Sequence, residues 1–222
     1  MAFLYESTQA ILTFGPHALT LRWAASVTRG NGEEGPLPYG CGVWPSALVL
    51  GDALVTHAER LRGVSALELG CGVGMCAVLA ARLGARVTAT DFHPDMRAFV
   101  EDNARANGAN VTFEVLDWTA KAALQVQPHP VVMGSDLLYD PAGVTPCVDV
   151  LERALLPGGL ALLADPGRKA LWRLKDKLLA RGFVVHHTTV MPQQLAVGGR
   201  EHVLAAHPNA TGPAHLLAIT RP

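Results

Sequence analysis

The stretch that decides the fold runs from Ala66 to Asp91 and reads A-L-E-L-G-C-G-V-G-M-C-A-V-L-A-A-R-L-G-A-R-V-T-A-T-D. It predicts a strand, a glycine turn, a helix and a second strand that ends at the aspartate. Residues 75–83 are almost wholly apolar, which is typical of a buried helix. Three glycines alternate through the turn: Gly70, Gly72 and Gly74. Because glycine has no Cβ, the chain can bend sharply there and approach a ligand closely.

The acids around this turn indicate the kind of ligand. Asp91 lies 21 residues after Gly70, close to the ~20 expected for an acid that binds ribose hydroxyls. Residues 72–77 also fit the dinucleotide pattern G-x-G-x-x-A, which by itself is a weak signal. Glu68, however, would repel a pyrophosphate and attract the cationic methionine part of S-adenosylmethionine. We therefore expect S-adenosylmethionine rather than NAD or NADP, with a ligand-free structural turn as the simplest alternative.

The sequence before the glycine turn predicts an extension and a buried helix. Residues 10–23 form two β-rich runs around Gly15-Pro16-His17, which predicts a hairpin. Residues 29–42 are rich in glycine, proline and glutamate, which predicts a loop. A long apolar helix is predicted from Val43-Trp44-Pro45-Ser46 to about Leu61. We therefore divide the chain into a hairpin and loop extension over 1–42 and a main domain over 43–222.

Strands and helices alternate through the main domain. After the glycine stretch, strands are predicted at 111–116, 131–135, 160–164, 183–190 and 215–220. The helix that carries Val144 and Leu155 is expected to end at Pro157-Gly158-Gly159. No helix-sized apolar pattern separates the last two strands, which predicts an antiparallel hairpin. The expected fold is α/β, a Rossmann-like doubly wound sheet of seven mostly parallel strands with a C-terminal antiparallel hairpin and an N-terminal β-hairpin extension.

Acidic residues stand at the ends of five successive predicted strands: Glu68, Asp91, Asp117, Asp136 and Asp165. The carboxyl ends of parallel strands meet at one edge of the sheet, and ligands of such folds bind there. Five acids from five separate elements therefore predict a polar site at this edge. Asp136 is the hardest to explain as a structural residue, because a carboxylate after an apolar strand needs a partner or a function.

Short motifs beyond the glycine turn carry a family resemblance. These are V-W-P-S at 43–46, L-D-W at 116–118 and D-L-L-Y at 136–139. E-L-G-C-G-V-G at 68–74 looks like motif I of seven-strand S-adenosylmethionine-dependent methyltransferases. Together with the three short motifs, it resembles the family-16 methyltransferases, most of which are protein-lysine methyltransferases. D-P-G-R at 165–168 resembles the branch that methylates the β-subunit of electron transfer flavoprotein. The resemblance covers about residues 43–168.

The resemblance implies a role for each matching residue. Near the methionine end of the cofactor it places Glu68 and the backbone of Gly70, Cys71 and Gly72. Asp91 would hold the ribose hydroxyls, Phe92 would flank the adenine, and Asp117 would accept from the adenine amino group. Trp44 would help to wall the pocket, and Trp118 would pack alongside Asp117. Ser135 and Asp136 would face the reacting end of the cofactor. Tyr139 would line the channel for an acceptor amine, so that Asp136 and Tyr139 are the expected catalytic residues.

Each role has a structural alternative. Trp44 and Trp118 are aromatic residues that equally suit core packing, Asp117 suits a helix N-cap, and Tyr139 suits a buried, hydrogen-bonded position. The expected acceptor is a protein lysine, with a small-molecule amine as the runner-up and an NAD(P)-dependent oxidoreductase as the alternative from another class. Base methylation usually goes with a [D/N/S]-P-P-[Y/W] motif that is missing here. Two strand-end acids, Asp136 and Asp165, suit a shared divalent ion, but we expect no metal.

Composition excludes several classes of protein. The 222 residues are half hydrophobic and suffice for one large domain, and the formal net charge of −1 gives no footprint for duplex DNA or bulk RNA. The four cysteines form no C-x-x-C pair and read as reduced thiols. The N-terminus lacks the basic region of a signal peptide, and no apolar run approaches the ~20 residues of a membrane span. We expect a cytoplasmic monomer that binds neither nucleic acid nor membrane.

Overall fold

The computed structural model describes residues 3–29, 38–120, 126–207 and 212–222. The chain begins with a two-stranded antiparallel hairpin of β1 (Phe3–Phe14) and β2 (His17–Arg29). Both strands are longer than the predicted hairpin over 10–23. Most of the predicted loop over 29–42 lies outside the described residues.

A seven-stranded sheet forms the centre of the molecule. Its strands are β3 (Ser65–Leu69), β4 (Arg86–Asp91), β5 (Val111–Val115), β6 (His129–Ser135), β7 (Leu155–Asp165), β8 (Val184–Val190) and β9 (Ala214–Thr220). The spatial order is β5-β4-β3-β6-β7-β9-β8. The first five strands are parallel, and β9 is antiparallel to both of its neighbours. The predicted fold class is thus confirmed, including the C-terminal antiparallel pair.

Helices cover both faces of the sheet. They are α1 (Pro45–Thr56), α2 (Met75–Arg82), α3 (Met96–Ala106), α4 (Val144–Ala154), α5 (Lys169–Ala180), α6 (Pro192–Leu195) and α7 (Glu201–Ala206). One hydrophobic cluster joins the hairpin with α1, α2 and α3 on one face, and a second joins α4 and α5 on the other. This two-faced core explains why α1 and α2 are apolar nearly all round, since they lie between the sheet and further elements.

Two buried asparagines of the α3 region hold the hairpin on the core. Asn103 accepts a hydrogen bond from the backbone N–H of Arg22 at 2.8 Å and donates to its carbonyl at 2.9 Å. Asn107 makes the same pair of bonds with Thr20, at 2.9 and 2.7 Å. Side-chain amides therefore satisfy an edge of β2 that would otherwise be unpaired. The division of the chain at residue 42 stays a prediction, but the hairpin shares the core of the main domain.

The structure corrects three predicted boundaries. The helix from residue 45 ends at Thr56, and a 3₁₀ turn over 58–60 follows it. The next correction concerns Leu155, which takes an extended backbone, so that α4 ends before it and β7 begins before Pro157. Finally, the last two strands are separated by α6 and α7 rather than by a loop alone. These helices have four and six residues, too short to produce a readable apolar period.

Candidate active site

One cavity of about 870 Å³ opens at the carboxyl ends of β3, β4 and β6. It is lined by all twelve residues predicted for the site: Trp44, Glu68, Gly70, Cys71, Gly72, Asp91, Phe92, Asp117, Trp118, Ser135, Asp136 and Tyr139. Of the five strand-end acids, Asp165 alone is missing from the wall, because its side chain is turned to the loop after β7. The individual roles stay predictions, but the structure brings these residues to one place.

Glu68 gives the cavity its most distinctive polar group. Its side chain is 2% exposed, and Oε2 has no hydrogen-bond partner among the described residues. Burial raises the pKa of this carboxyl to about 8; the Ala77 backbone N–H opposes the shift and the Asp91 charge adds to it. A buried, unpaired carboxylate oxygen is costly unless a ligand satisfies it. This group therefore fits a ligand that carries an ammonium.

The glycine turn brings backbone to the cavity wall in conformations that only glycine adopts freely. Gly70, Gly72 and Gly74 have φ values of 60°, 51° and 82°. A Cβ on Gly72 would stand 2.7 Å from the carbonyl oxygen of Gly40, and one on Gly70 the same distance from a Leu137 methyl. The turn thus combines left-handed backbone with close packing, which excludes side chains.

Asp91 closes the glycine turn by bonding to its backbone. One carboxylate oxygen accepts from the N–H of Gly72 at 3.0 Å and the other from the N–H of His93 at 2.9 Å. Burial raises the pKa of Asp91, and these N–H groups oppose it. Each oxygen keeps acceptor capacity toward the cavity, since a carboxylate accepts about four bonds. The geometry is compatible with the proposed ribose contact.

The wall expected to contact adenine consists of Phe92, Asp117 and Trp118. Phe92 is 59% exposed although it borders the cavity, so its ring is free to face a ligand. Asp117 accepts from the Thr119 N–H at 2.9 Å and from its hydroxyl at 2.5 Å, and the hydroxyl bond lowers the pKa of Asp117. Trp118 is half-buried and packs on the second hydrophobic cluster. The packing alternative for Trp118 therefore describes a real contact, whereas the helix-capping alternative for Asp117 concerns a segment that runs into residues 121–125, outside the described residues. Both side chains also line the cavity.

Asp136 is held in an unusual position by its neighbours. Its φ of 56° is the one positive value at a non-glycine residue in the described part of the chain. Arg168 donates from one nitrogen to Asp136 Oδ1 at 2.8 Å and to Asp165 Oδ2 at 2.9 Å. Asp136 Oδ2 is buried and has no hydrogen-bond partner within the described ranges. The sequence left the role of Arg168 open, and the structure places it between the two acids.

Charge and burial compete in this cluster. Burial raises the pKa of Asp136, whereas the Arg168 guanidinium and the nearby Ser46 hydroxyl oppose the rise. Burial also disfavours the Arg168 charge, but the two aspartates outweigh it and raise the pKa of Arg168. The guanidinium thus occupies the position that a shared divalent ion would need. In the described residues, no group of three or more His, Cys, Asp or Glu side chains is placed to hold a metal.

Aromatic residues surround the opening of the cavity. Tyr139 is 53% exposed, and its ring centroid lies 5.7 Å from that of Tyr39, which is 70% exposed. Trp44 donates from Nε1 to the Tyr39 carbonyl at 2.8 Å and stacks on His207 with centroids 4.4 Å apart. Burial raises the pKa of Tyr139, so its hydroxyl is a neutral donor at ordinary pH. An exposed pair of rings beside a buried carboxylate suits a cationic or amine group that enters from outside.

Sequence reasoning missed Tyr39 as a cavity residue and Ser46 as a neighbour of Asp136. Tyr39 was treated as part of a glycine-rich loop, and Ser46 only as a helix-start residue. The one available signal for Tyr39 was an isolated aromatic between proline and glycine. Asp140 caps the following turn by accepting from the Ala142 N–H at 2.8 Å, and it also borders the cavity.

A comparison with known protein families shows to which family the chain belongs. The profile described as lysine methyltransferase matches residues 31–169, more than half of the chain. The chain belongs to the lysine methyltransferase family. This membership agrees with the S-adenosylmethionine cofactor that the glycine turn and Glu68 predict, and it contradicts the oxidoreductase alternative.

Relatives within the family align over part of the chain. The histone-arginine methyltransferase METTL23 of Rattus norvegicus is 34% identical over 109 residues, 46% of this chain and 48% of that protein. The protein-lysine methyltransferase METTL21E of Mus musculus is 43% identical over 76 residues, 33% of this chain and 31% of that protein. The chain thus aligns with about half the length of the METTL23 relatives. These relatives differ from the branch expected from D-P-G-R, which stays a prediction.

Solved structures share the fold. The 16S rRNA N2 G1207 methyltransferase of T. thermophilus, in complex with AdoMet and guanosine, superimposes with a TM-score of 0.61 at 17% identity, over 97% of this chain and 51% of that one. At this identity the likeness concerns the fold alone.

No helix in the described residues is long and apolar enough to cross a membrane.

Proposed function

We propose that this methyltransferase transfers the methyl group to the side-chain nitrogen of a lysine on a protein. The observation that carries the proposal is the unpaired, buried Oδ2 of Asp136, which belongs to the same cavity as the exposed rings of Tyr39 and Tyr139. One free carboxylate oxygen suits one N–H of a primary amine. Relatives named as protein-lysine methyltransferases support the same acceptor.

An arginine acceptor fits this arrangement less well. A guanidinium binds carboxylates through two parallel N–H groups, and it needs two free acceptor oxygens. Here Asp136, the acid expected at the reacting end, already binds the guanidinium of Arg168 through Oδ1, so that only Oδ2 is free. The METTL23 relative carries histone-arginine in its name, so this difference needs a direct test.

The reaction requires a neutral amine. When bound, S-adenosylmethionine supplies an electrophilic methyl group on sulfur. Free lysine has a pKa of about 10.4, and a partly dry cavity lowers it. Asp136 would orient the amine through Oδ2, while Arg168 offsets the carboxylate charge that would otherwise keep the amine protonated. Tyr139 would contact the amine with its ring or its neutral hydroxyl.

Most of the rate enhancement is then expected from positioning and from exclusion of water. Asp136 is only 13% exposed at its side chain, and it is fixed by Arg168 and by its own backbone N–H, which donates to the Ala164 carbonyl at 2.9 Å. A group held this firmly places the amine with little loss of entropy on reaction. Strong acid–base catalysis is not required of it.

The proposal is tested with Asp136→Asn and Asp136→Ala variants. Protein extracts are incubated with enzyme and tritiated-methyl S-adenosylmethionine, and calorimetry measures cofactor binding separately. We expect both variants to bind the cofactor within about threefold of wild type and to lose at least about 100-fold in labelling, consistent with the loss of a positioned group. Full labelling by a correctly folded Asp136→Ala variant would overturn the role of this residue.

A small-molecule amine is the competing acceptor. In the same extracts, label in the acid-soluble fraction would identify it, whereas label in precipitated protein supports the proposal.

The composition also leads us to propose a cytoplasmic monomer, which gel filtration and cell fractionation test.

A further inference from the structure

Lysine is unevenly placed in this chain. Of four lysines, three lie on α5: Lys169, Lys175 and Lys177. Arg173 adds a fourth cation to the helix, and Asp176 is its one acid. The helix therefore carries a net charge of +3, although the formal net charge of the whole chain is −1.

Three of these cations form a line along the outer side of the helix. Lys169, Arg173 and Lys177 are spaced four residues apart, which places them on one side, and all three are exposed. We call them the α5 cationic stripe. The opposite side of the helix is buried in the second hydrophobic cluster through Ala170, Leu171, Leu174 and Leu178.

The stripe has no ion-pair partner in the described part of the chain. No carboxylate there lies within 4.0 Å of the charged atoms of Lys169, Arg173 or Lys177. Arg181, just beyond the helix, contrasts with them, because it pairs with Asp149 and Glu152 of α4. Intramolecular pairing therefore does not account for the stripe.

Helix stability accounts for Lys177, which complements the helix dipole from the last turn, but not for Lys169. Lys169 stands in the first turn of α5, where a cation opposes the helix dipole and no acid compensates it. The first helical residue also directly follows Arg168, which lines the cavity. The stripe thus begins at the rim of the active site and extends about 12 Å away from it along the surface, at 1.5 Å per residue.

We propose that the α5 cationic stripe binds an acidic segment of the protein acceptor, next to the lysine that enters the cavity. The inference deepens the proposed function and rests on it. Three aligned cations complement carboxylates spaced along an extended or helical segment. A nucleic acid is the less suitable partner, since duplex binders neutralise about 6–10 phosphates and the rest of this chain is net acidic.

Fluorescence anisotropy with a fluorescein-labelled hexaglutamate peptide tests the stripe without knowledge of the acceptor. The variant is K169E/R173E/K177E. The matched control is R62E/R105E/R153E, which makes the same change in net charge at exposed arginines elsewhere. At about 50 mM salt we expect the stripe variant to bind the peptide at least about tenfold more weakly than the control does, and at about 500 mM the difference should shrink below about threefold.

Equal weakening by both triple variants would overturn the inference, because net charge alone would then explain binding. Tighter binding of a twelve-nucleotide thymidine oligomer than of hexaglutamate at the stripe would replace the acidic protein segment by nucleic acid and also overturn it. Labelling of protein lysine by the wild type tests the proposed function independently. Labelling that persists at wild-type level in the stripe variant would refute the stripe while leaving the function standing.

Discussion

Arg168 offers the sharpest perturbation of the site. In an Arg168→Ala variant, Asp136 loses its cationic partner and keeps its burial, so its pKa rises. A charge pair about 4 Å apart at an effective dielectric constant of about 20 is worth about 4 kcal/mol. The Arg168 side chain is 31% exposed, so we reduce this to about 1.5–3 kcal/mol.

The direction in which the pH profile of kcat/KM shifts follows from the protonation states that the reaction requires. Asp136 must be ionised to accept an N–H, and removal of Arg168 favours its protonated form. If Asp136 does ionise, the unbalanced carboxylate raises the pKa of the acceptor amine. Both effects shift the acidic limb of the pH profile of kcat/KM to higher pH, by about 1–2 units.

The assay measures kcat/KM between about pH 6 and 10 with calorimetric control of cofactor binding. Arg168→Lys is the matched control, because it keeps the charge but not the fork of donors, and we expect its acidic limb to stay within about half a unit of wild type. At the highest pH, Arg168→Ala should recover much of the wild-type rate. An unshifted acidic limb in a folded Arg168→Ala protein would refute the reasoning.

Three further substitutions test other parts of the site. Glu68→Gln should weaken cofactor binding at least about tenfold. It should also stabilise the ligand-free protein above pH 8. The reason is that the pKa of this carboxyl is about 8 in the folded protein and 4.5 in the unfolded chain, so its contribution to stability is fully present below pH 4.5 and is lost as pH rises through 8. Thermal unfolding of the variant and of the wild type at pH 5 and pH 9 measures this change in stability. A variant less stable than the wild type at pH 9 would contradict the prediction. Gly72→Ala should cost about 2–4 kcal/mol, against about 1–2 for Gly63→Ala, which has left-handed backbone but no atom within 4 Å of its added Cβ. Equal urea midpoints for the two variants would exclude the clash with Gly40. Asn103→Ala removes the hydrogen bonds to both backbone groups of Arg22 and should cost about 2–4 kcal/mol; a loss below about 1 kcal/mol would show that the hairpin does not depend on these two bonds.

The central sheet was predictable because its signals are local. Each of the five parallel strands has an acid at or near its carboxyl end, and Gly70, Gly72 and Gly74 fix the turn whatever surrounds it. The position of the cavity was predictable for a related reason, because the carboxyl ends of parallel strands lie at one edge of the sheet. Leu155 shows the limit, because a leucine between a helix and a strand suits either period and only tertiary contacts decide.

The contacts that tune the site were beyond the sequence. Arg168 and Asp136 are 32 positions apart, and nothing local indicates that one guanidinium bonds two acids. Tyr39 approaches Tyr139 across 100 positions, through a loop that carries no periodic signal. Asn103 reads as an ordinary polar helix residue, and its role appears only when β2 lies against it. Such pairings depend on packing between distant elements.

Amino-acid analysis of the labelled product tests the central claim most directly. Protein that has been labelled with tritiated-methyl S-adenosylmethionine is precipitated, hydrolysed and separated, and radioactivity is assigned to methyl-lysines, methyl-arginines or other products. The account predicts label in methyl-lysine, lost with Asp136→Ala. Label in methyl-arginine would contradict the assignment of the single free oxygen of Asp136 to a primary amine, and label confined to acid-soluble metabolites would contradict a protein acceptor.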